Sequence, residues 1–292
     1  MQQYSGIDEK IKYPHTVFYD PRQTSPVPVS SPSATKPALL IKQWQERGYL
    51  LDIRSFDPAT REDFYLVHDK DHVNAVLDCV KPNGLHNTNP LVAATFPWTT
   101  GSMVAAALHA WKNKIVTCSP VSGFHHATHK SCQGFCTFNG LMVATMKLLQ
   151  AGAKKVGIVD CDCHYGNGTD DILDRFSLRN MVLHYTFGQE DDYNPVWAGD
   201  ERAEAWLQRF PSILNTFKDC DIILYQAGAD AHAEDPLGGA LTTEQMKQRD
   251  RLVFTTFATL GIPVTWNLAG GYTTPIKRVL DLHTITLHEA TR

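Results

Sequence analysis

Short apolar runs rich in β-branched residues recur along the chain, at 15–19 (HTVFY), 115–118 (IVTC), 155–160 (KVGIVD), 181–185 (MVLHY), 221–226 (DIILYQ) and 262–266 (IPVTW). They are mostly apolar rather than strictly alternating, the pattern of strands covered on both faces in a parallel sheet. Helix-period patterns fill the intervals, at 37–48, 72–80, 99–113, 138–152, 203–217, 242–259 and 274–288. Thr242 or Thr243 caps the helix that begins near Glu244. Strand–helix alternation over the whole length predicts one α/β domain spanning 1–292 with a parallel sheet. In such sheets ligands bind beyond the carboxyl ends of the strands, so the loops that follow the strands are the places to look for chemistry.

Composition narrows the picture. The 292 residues carry 27 Lys and Arg against 31 Asp and Glu, a formal charge of −4. There is no long basic stretch, so electrostatics give no support for nucleic-acid or membrane binding. No uninterrupted apolar run approaches the ~18 residues of a membrane span. The N-terminal MQQYSGIDEKIKY has no apolar core of a secretory signal. Seven cysteines without paired CxxC spacing fit reduced thiols in a cytoplasmic protein; Cys132 and Cys136 have the spacing of a zinc half-site, but no second half follows. Residues 20–37 (DPRQTSPVPVSSPSATKP) are rich in Pro and Ser and read as a long loop, of the kind that borders active sites. The oligomeric state is left open, a homo-oligomer included.

Four loops after strands hold most of the reactive side chains: SGFHHATH with His125 and His126; DCDCHYGNGTDD with Asp160, Asp162 and His164; GADAHAEDPLGG with Asp230, His232, Glu234 and Asp235; and NLAGGYT with Tyr272. Asp162 and His164, two apart on extended backbone, face the same way. A carboxylate and an imidazole make half of a catalytic zinc site, with Asp235 well placed as the third ligand. The plain alternative is that Asp160 and Asp162 cap the helix near Gly168 and His164 packs. The adjacent histidines titrate as a coupled pair, one neutral as a base and one held protonated by a carboxylate, for which Asp160 is the candidate. Alone, such a pair is surface or core filler. Tyr272 behind two glycines can approach a pocket and donate to a developing oxyanion, or the glycines simply make a turn. His129, His184 and His232 read as structural or loop histidines.

Taken together, SGFHHA, GFCTFNG, DCDCHYGNGT, GADAHAEDPLGG and NLAGGYT, in that order, resemble the histone deacetylase superfamily, which includes bacterial deacetylase-like amidohydrolases and acetylpolyamine amidohydrolases. Tyr19–Asp20 and VHDKDHV near residue 70 extend the resemblance over nearly the whole chain. It implies an arginase–deacetylase fold with about eight parallel strands between helical layers, and zinc-dependent hydrolysis of an acylated amine, with Fe2+ as an alternative metal. It implies zinc on Asp162, His164 and Asp235; His126 as general base beside His125; Asp160 supporting His125; Tyr272 polarising the carbonyl; and Gly134, Phe135 and Leu237 along the acyl-lysine tunnel. It also implies potassium near the zinc, on Asp160, Asp162 and the His164 carbonyl, with further ligands near Val182 to His184. Asn167 stands where some members have an aspartate beside the second histidine.

Two departures bear on the substrate. The family's His- and Glu-containing N-terminal loop motif is replaced by SSPSATKP, and its rim aspartate has no clear counterpart in NGLHNTNP, where Asn87 or Asn89 stands. The expected activity is deacylation of a lysine side chain or a small amine. The alternatives are an acetylpolyamine amidohydrolase, which Leu237 disfavours because a polyamine-selective relative would place a glutamate there; a non-catalytic acyl-lysine or polyamine binder; and a di-manganese ureohydrolase, whose motifs need further bridging aspartates and are not matched by the tandem His125–His126 and the GGY loop.

Overall fold

The structure, a computed structural model, describes residues 14–190, 199 and 201–292. The N-terminal stretch judged to lack a signal lies outside them. In chain order the elements are β1 (His15–Phe18), α1 (Lys36–Glu46), β2 (Leu51–Arg54), α2 (Arg61–Tyr65), α3 (Lys70–Leu77), α4 (Pro90–Ala93), α5 (Phe96–Asn113), β3 (Thr117–Ser119), α6 (Gly140–Ala151), β4 (Val156–Asp160), α7 (Asn167–Arg175), β5 (Val182–Thr186), α8 (Glu201–Asn215), β6 (Ile222–Gly228), α9 (Thr243–Leu260), β7 (Val264–Ala269) and α10 (Lys277–Ala290). The strands form one sheet in the order β2-β1-β3-β7-β6-β4-β5. Every pairing is parallel.

Each pattern-predicted strand is present, shifted by one to three residues. The seventh, β2, is an edge strand whose partly exposed LDIR carries two charges, so it lacks the apolar run that marks the others. Alternate residues serve two layers. In β4, Val156 and Ile158 join the core under α5 and α6, while Val159 faces the other core, built by α1, α8, α9 and α10. In β6, Ile222 and Leu224 face the first and Ile223 and Tyr225 the second. Thr242 caps α9 by accepting from Gln245 N, and Gln245 returns the bond to the Thr242 amide.

Residues 90–113, counted together, are long and apolar enough by composition to cross a membrane. In the fold they supply α4 and α5, and Met103, Ala106, Ala107 and Ala110 of α5 are fully buried. The apolar stretch serves the protein core, because a helix packed against both a sheet and another helix has little polar face to show.

Because all strands run the same way, the loops with SGFHHATH, DCDCHYGN, GADAHAED and GGYT leave the sheet at one end. β3, β7, β6 and β4 are consecutive neighbours, so the four loops are adjacent in space despite sequence separations of up to 150 residues.

Candidate active site

The site is built around the end of β4. Asp160, its last residue, is fully buried. Its Oδ2 lies 2.6 Å from His125 Nδ1, while Oδ1 accepts from the Asp162 amide (3.1 Å) and from Gln226 Nε2 on β6 (3.0 Å). Gln226 Oε1 in turn accepts from the Phe124 amide (3.3 Å). One carboxylate and one amide thus tie the histidine loop to two strand ends. Asp160 stands beside His125, as expected; Gln226 was missed, since a glutamine at the end of an apolar strand run carries no chemical signature.

The two histidines are stacked with ring centroids 4.0 Å apart, yet their surroundings differ. His126 Nδ1 lies 2.6 Å from Asn167 Oδ1, and Asn167 Nδ2 donates to Gln133 Oε1 (3.0 Å). Burial pulls the His125 pKa down, but the carboxylates of Asp160 and Asp162 outweigh it and push it up to about 9. Burial lowers His126, and the charge on His125 lowers it further, to about 4. With an amide where a carboxylate would stand, nothing opposes that drop strongly. At neutral pH the pair holds one proton-bearing cation and one neutral base.

Asp162, His164 and Asp230 form the group able to hold a metal ion: one ligand atom from each lies within 4.8 Å of the others. His164 Nδ1 is 3.1 Å from Asp162 Oδ1 and 2.9 Å from Asp230 Oδ2. Asp230 was not assigned from the sequence; Asp235, expected as the third ligand, is outside this tight group. Asp230 sits two residues beyond β6 and is fully buried. Asp235 lies past a further turn, and each of its oxygens accepts a backbone bond. Oδ2 accepts from the Tyr272 amide (2.6 Å) and Oδ1 from the Leu237 amide (3.0 Å). These bonds tie Asp235 to the tyrosine loop and leave it lone pairs for a cation.

Electrostatics fit a cation at this group. Burial raises Asp230, and the neighbouring Asp162 adds to it, to about 7. Burial opposes charge on His164 too, but Asp162 and Asp230 raise its pKa to about 11. Two carboxylates and an imidazole drawing positive charge to one point are donors that suit a divalent cation.

Tyr272 faces the same pocket. Gly270 and Gly271 before it both have positive φ (51° and 92°), the conformation only glycine adopts freely. The Gly270 carbonyl accepts a bond from Lys36 Nζ. Lys36 is fully buried; burial lowers its pKa to about 8, against the pull of Asp230, Asp162 and Asp235. Sequence gave no hint of it: a lysine ending a Ser- and Pro-rich loop looks like a solvated one. The 20–37 loop does reach the site, since Ser33 lines the pocket with His125, His126, Gly134, Phe135, Asp162, His164 and Tyr272. A Cβ on Gly134 would come within 2.2 Å of the His126 ring, and the Phe135 ring lies 5.7 Å from that of Tyr272.

A neighbouring cavity of about 60 Å³ shares Ser33, Ser122, Gly123 and Phe135 with the pocket. Its other walls, Leu85, Phe96, Phe124 and Phe138 among them, are largely apolar. Leu237 does not line the pocket and is 45% exposed. Asn87 and Asn89 are occupied with local turns, accepting from the Asn89 and Leu91 amides respectively. From that loop it is His86 that approaches the mouth, 5.8 Å from Phe135. The residue beside Asp160 on β5 is Thr186, not Val182 to His184, because the register pairs Asp160 with Thr186 and Ile158 with His184. Cys132 and Cys136 are free thiols, and Cys132 Sγ contacts His72 Nε2 at 3.8 Å.

A buried Asp–His pair, a neutral second histidine, a cation-ready triad and a tyrosine, all at the carboxyl end of a parallel sheet, place the protein among α/β hydrolytic folds. The chain belongs to the histone deacetylase family: the model of the histone deacetylase domain matches residues 32–196 and 193–287. An uncharacterized protein of Picosynechococcus is 29% identical, over 94% of this chain and 98% of its own length. Histone deacetylase 10, chloroplastic, of Oryza sativa is 30% identical over 65% of this chain; the match spans about half (52%) of the rice protein. Acetylpolyamine amidohydrolase 2 of Pseudomonas aeruginosa is 31% identical over 39% of each. Among solved structures, the HDA15 HD domain superposes with a TM-score of 0.77 at 21% identity, covering 94% of this chain and 88% of that one. Acetylpolyamine aminohydrolase from Burkholderia pseudomallei gives 0.71 at 18%, covering 94% and 98%.

Proposed function

We propose that the protein is a metal-dependent deacylase that hydrolyses the acetyl, or another short acyl, amide of a lysine side chain or small amine. One observation carries the reading: two stacked histidines with opposite protonation preferences stand against a group with a cation's ligand set, and a phenol faces both. Zinc, with ferrous iron the alternative, would be held by Asp162 and His164 with Asp235 as the third ligand and Asp230 beside His164. When bound, it supplies Lewis acidity toward the acyl carbonyl and toward water.

The remaining steps belong to side chains. His126, neutral at pH 7, accepts the proton of the attacking water. The Tyr272 hydroxyl donates to the carbonyl oxygen as negative charge builds on it; burial and the surrounding carboxylates hold that phenol well above its ordinary pKa, so it stays a donor. His125, kept protonated by Asp160, stabilises that charge and supplies a proton toward the leaving amine. A carboxylate and a free amine result. The Asp160, Asp162 and His164 region is also where the proposal puts potassium, with Thr186 as the adjacent β5 residue. A cytoplasmic setting is part of the proposal, in keeping with seven free thiols.

The adjoining cavity bears on the acyl group. Its walls of Leu85, Phe96, Phe124 and Phe138 suit an apolar chain, so acyl length is what the substrate series reads. The test is hydrolysis by zinc-loaded protein of acetyl-, butyryl- and hexanoyl-lysine peptides, acetylputrescine and acetylspermidine, with and without a hydroxamate. Hydroxamate-sensitive release from any substrate is the expected result. No release with metal bound would overturn the reading. The acetylpolyamine reading draws on the Pseudomonas relative; preference for acetylputrescine over every peptide would establish it.

A further inference from the structure

One side chain at the mouth of the pocket has no part in the catalytic reading. His86 is exposed, and among the described residues neither of its ring nitrogens has a hydrogen-bond partner. Its backbone is left-handed (φ 59°), where a residue with a Cβ is uncommon. Such a conformation persists only where the surroundings over-determine it, and here they do. The Asn83 amide donates to the Asn87 carbonyl (2.9 Å), and the His86 amide to the Asn83 carbonyl (3.0 Å). Asn83 Oδ1 accepts from the Leu85 amide (2.9 Å), Asn83 Nδ2 donates to Asn87 Oδ1 (3.0 Å), and Asn87 Nδ2 donates to the Leu85 carbonyl (3.1 Å). Both asparagines are spent on the loop itself, and the imidazole is the group it presents.

The loop is also fastened to the pocket wall. The Gly84 amide donates to Thr137 Oγ1 (3.0 Å), and a Cβ on Gly84 would fall 2.5 Å from the Cys136 carbonyl carbon. Ser30, from the 20–37 loop, donates to the Leu85 carbonyl (2.9 Å). Cys136 and Thr137 directly follow Phe135, so His86 is fixed relative to that ring, which it meets edge to face with centroids 5.8 Å apart. Phe135 in turn lies 5.7 Å from Tyr272. The three rings form a chain of contacts from solvent to the phenol. A substrate whose acyl amide sits at Tyr272 runs its stem past Phe135 and brings whatever flanks that stem to His86.

We propose that His86 determines specificity at the mouth: its imidazole pairs with the peptide backbone beside an acylated lysine, and acyl-lysine within a peptide is the substrate class served. A peptide brings both N–H and C=O groups to that point, and an imidazole can accept from the one or donate to the other. An acylpolyamine brings ammonium groups instead, and an imidazole, neutral or protonated, offers them no negative charge.

The inference rests on the deacylase reading, and the test separates the two. Zinc-loaded full-length wild type, His86→Gly and His86→Asp are assayed on an acetyl-lysine peptide, N-acetylbutylamine and acetylputrescine. Glycine suits the left-handed position, so His86→Gly removes the ring without straining the loop. It is expected to raise KM for the peptide at least about threefold, the weight of one exposed hydrogen bond, with less effect on kcat and on N-acetylbutylamine, which has no backbone to hold. His86→Asp is expected to raise kcat/KM for acetylputrescine about threefold, a gain that added salt removes. A smaller rise in peptide KM for His86→Gly, or one that N-acetylbutylamine shares, would overturn the proposal. So would an acetylputrescine rate that His86→Asp leaves as it was, or a wild type that prefers acetylputrescine to the peptide; these outcomes leave the deacylase reading standing. A wild type that holds zinc and hydrolyses none of the three defeats that reading, and this inference with it.

Discussion

At the scale of single residues, the site depends on unequal environments for like groups. His125 and His126 differ by one position, yet one meets a carboxylate and the other an amide. Tyr272→Phe removes a single donor and leaves the loop bonds to Asp235 in place. It should lower kcat by about 10²–10³-fold with Co2+ binding unchanged; a variant that turns over like wild type would contradict the assigned role. Asp162→Ala and Asp235→Ala should each lose bound zinc by elemental analysis, whereas Asp230→Ala should retain more of it. Full occupancy in Asp235→Ala, with loss in Asp230→Ala, would move the third ligand to Asp230. Spacing alone could not choose between the two for a physical reason. Spacing places a side chain reliably only while the backbone is extended, and the segment from Asp230 to Asp235 turns, with His232 bonding back to Ala229 and Asp235 to His232.

At the scale of elements, strands and helices were legible because burial on both faces leaves an apolar run and burial on one face leaves a helical period. β2 and the short α2 and α4 leave neither signal. What sequence could not show is how one element's shape constrains another's. The loop at 131–137 is such a case: Gly134 has φ of +50° and backs directly onto His126. Gly134→Ala has no room for its methyl group. The His126 ring must move, and kcat should fall at least tenfold, while urea stability changes by no more than about 2 kcal/mol. The check is kcat and KM against the unfolding midpoint. Normal kcat would show that the histidine tolerates displacement.

At the scale of the whole molecule, buried neutral histidines couple stability to pH. His15 of β1 accepts from Trp266 Nε1 of β7 (3.1 Å), and burial lowers its pKa from 6.5 to about 4. His68 is buried likewise, its pKa lowered to about 3. The folded state resists a proton that the unfolded chain takes up below pH 6.5. The stability is therefore fully present above that pH, declines as pH falls, and stops declining through these groups once the folded pKa values are passed. For His15 alone the loss is about 2 kcal/mol between pH 7.5 and 5. Urea unfolding at both values should show a smaller drop for His15→Gln than for wild type; equal drops would remove His15 from the account. The buried pair Arg249–Asp250 of α9 belongs to this scale too: Arg249 donates to the Cys161 and Gly228 carbonyls, and Asp250 accepts from Tyr225 and Thr286, so no local sequence window contains its parts.

The chain of contacts from His126 through Asn167 to Gln133 ends at the protein surface, for Gln133 is exposed. An amide can present either its oxygen or its nitrogen to a neighbour. Because Gln133 Oε1 takes the Asn167 NH2, the Asn167 oxygen is turned toward His126 Nδ1, which must then carry the ring hydrogen. The lone pair is left on Nε2. The tautomer of this half-buried imidazole is thereby selected by a side chain in contact with solvent, two hydrogen bonds away.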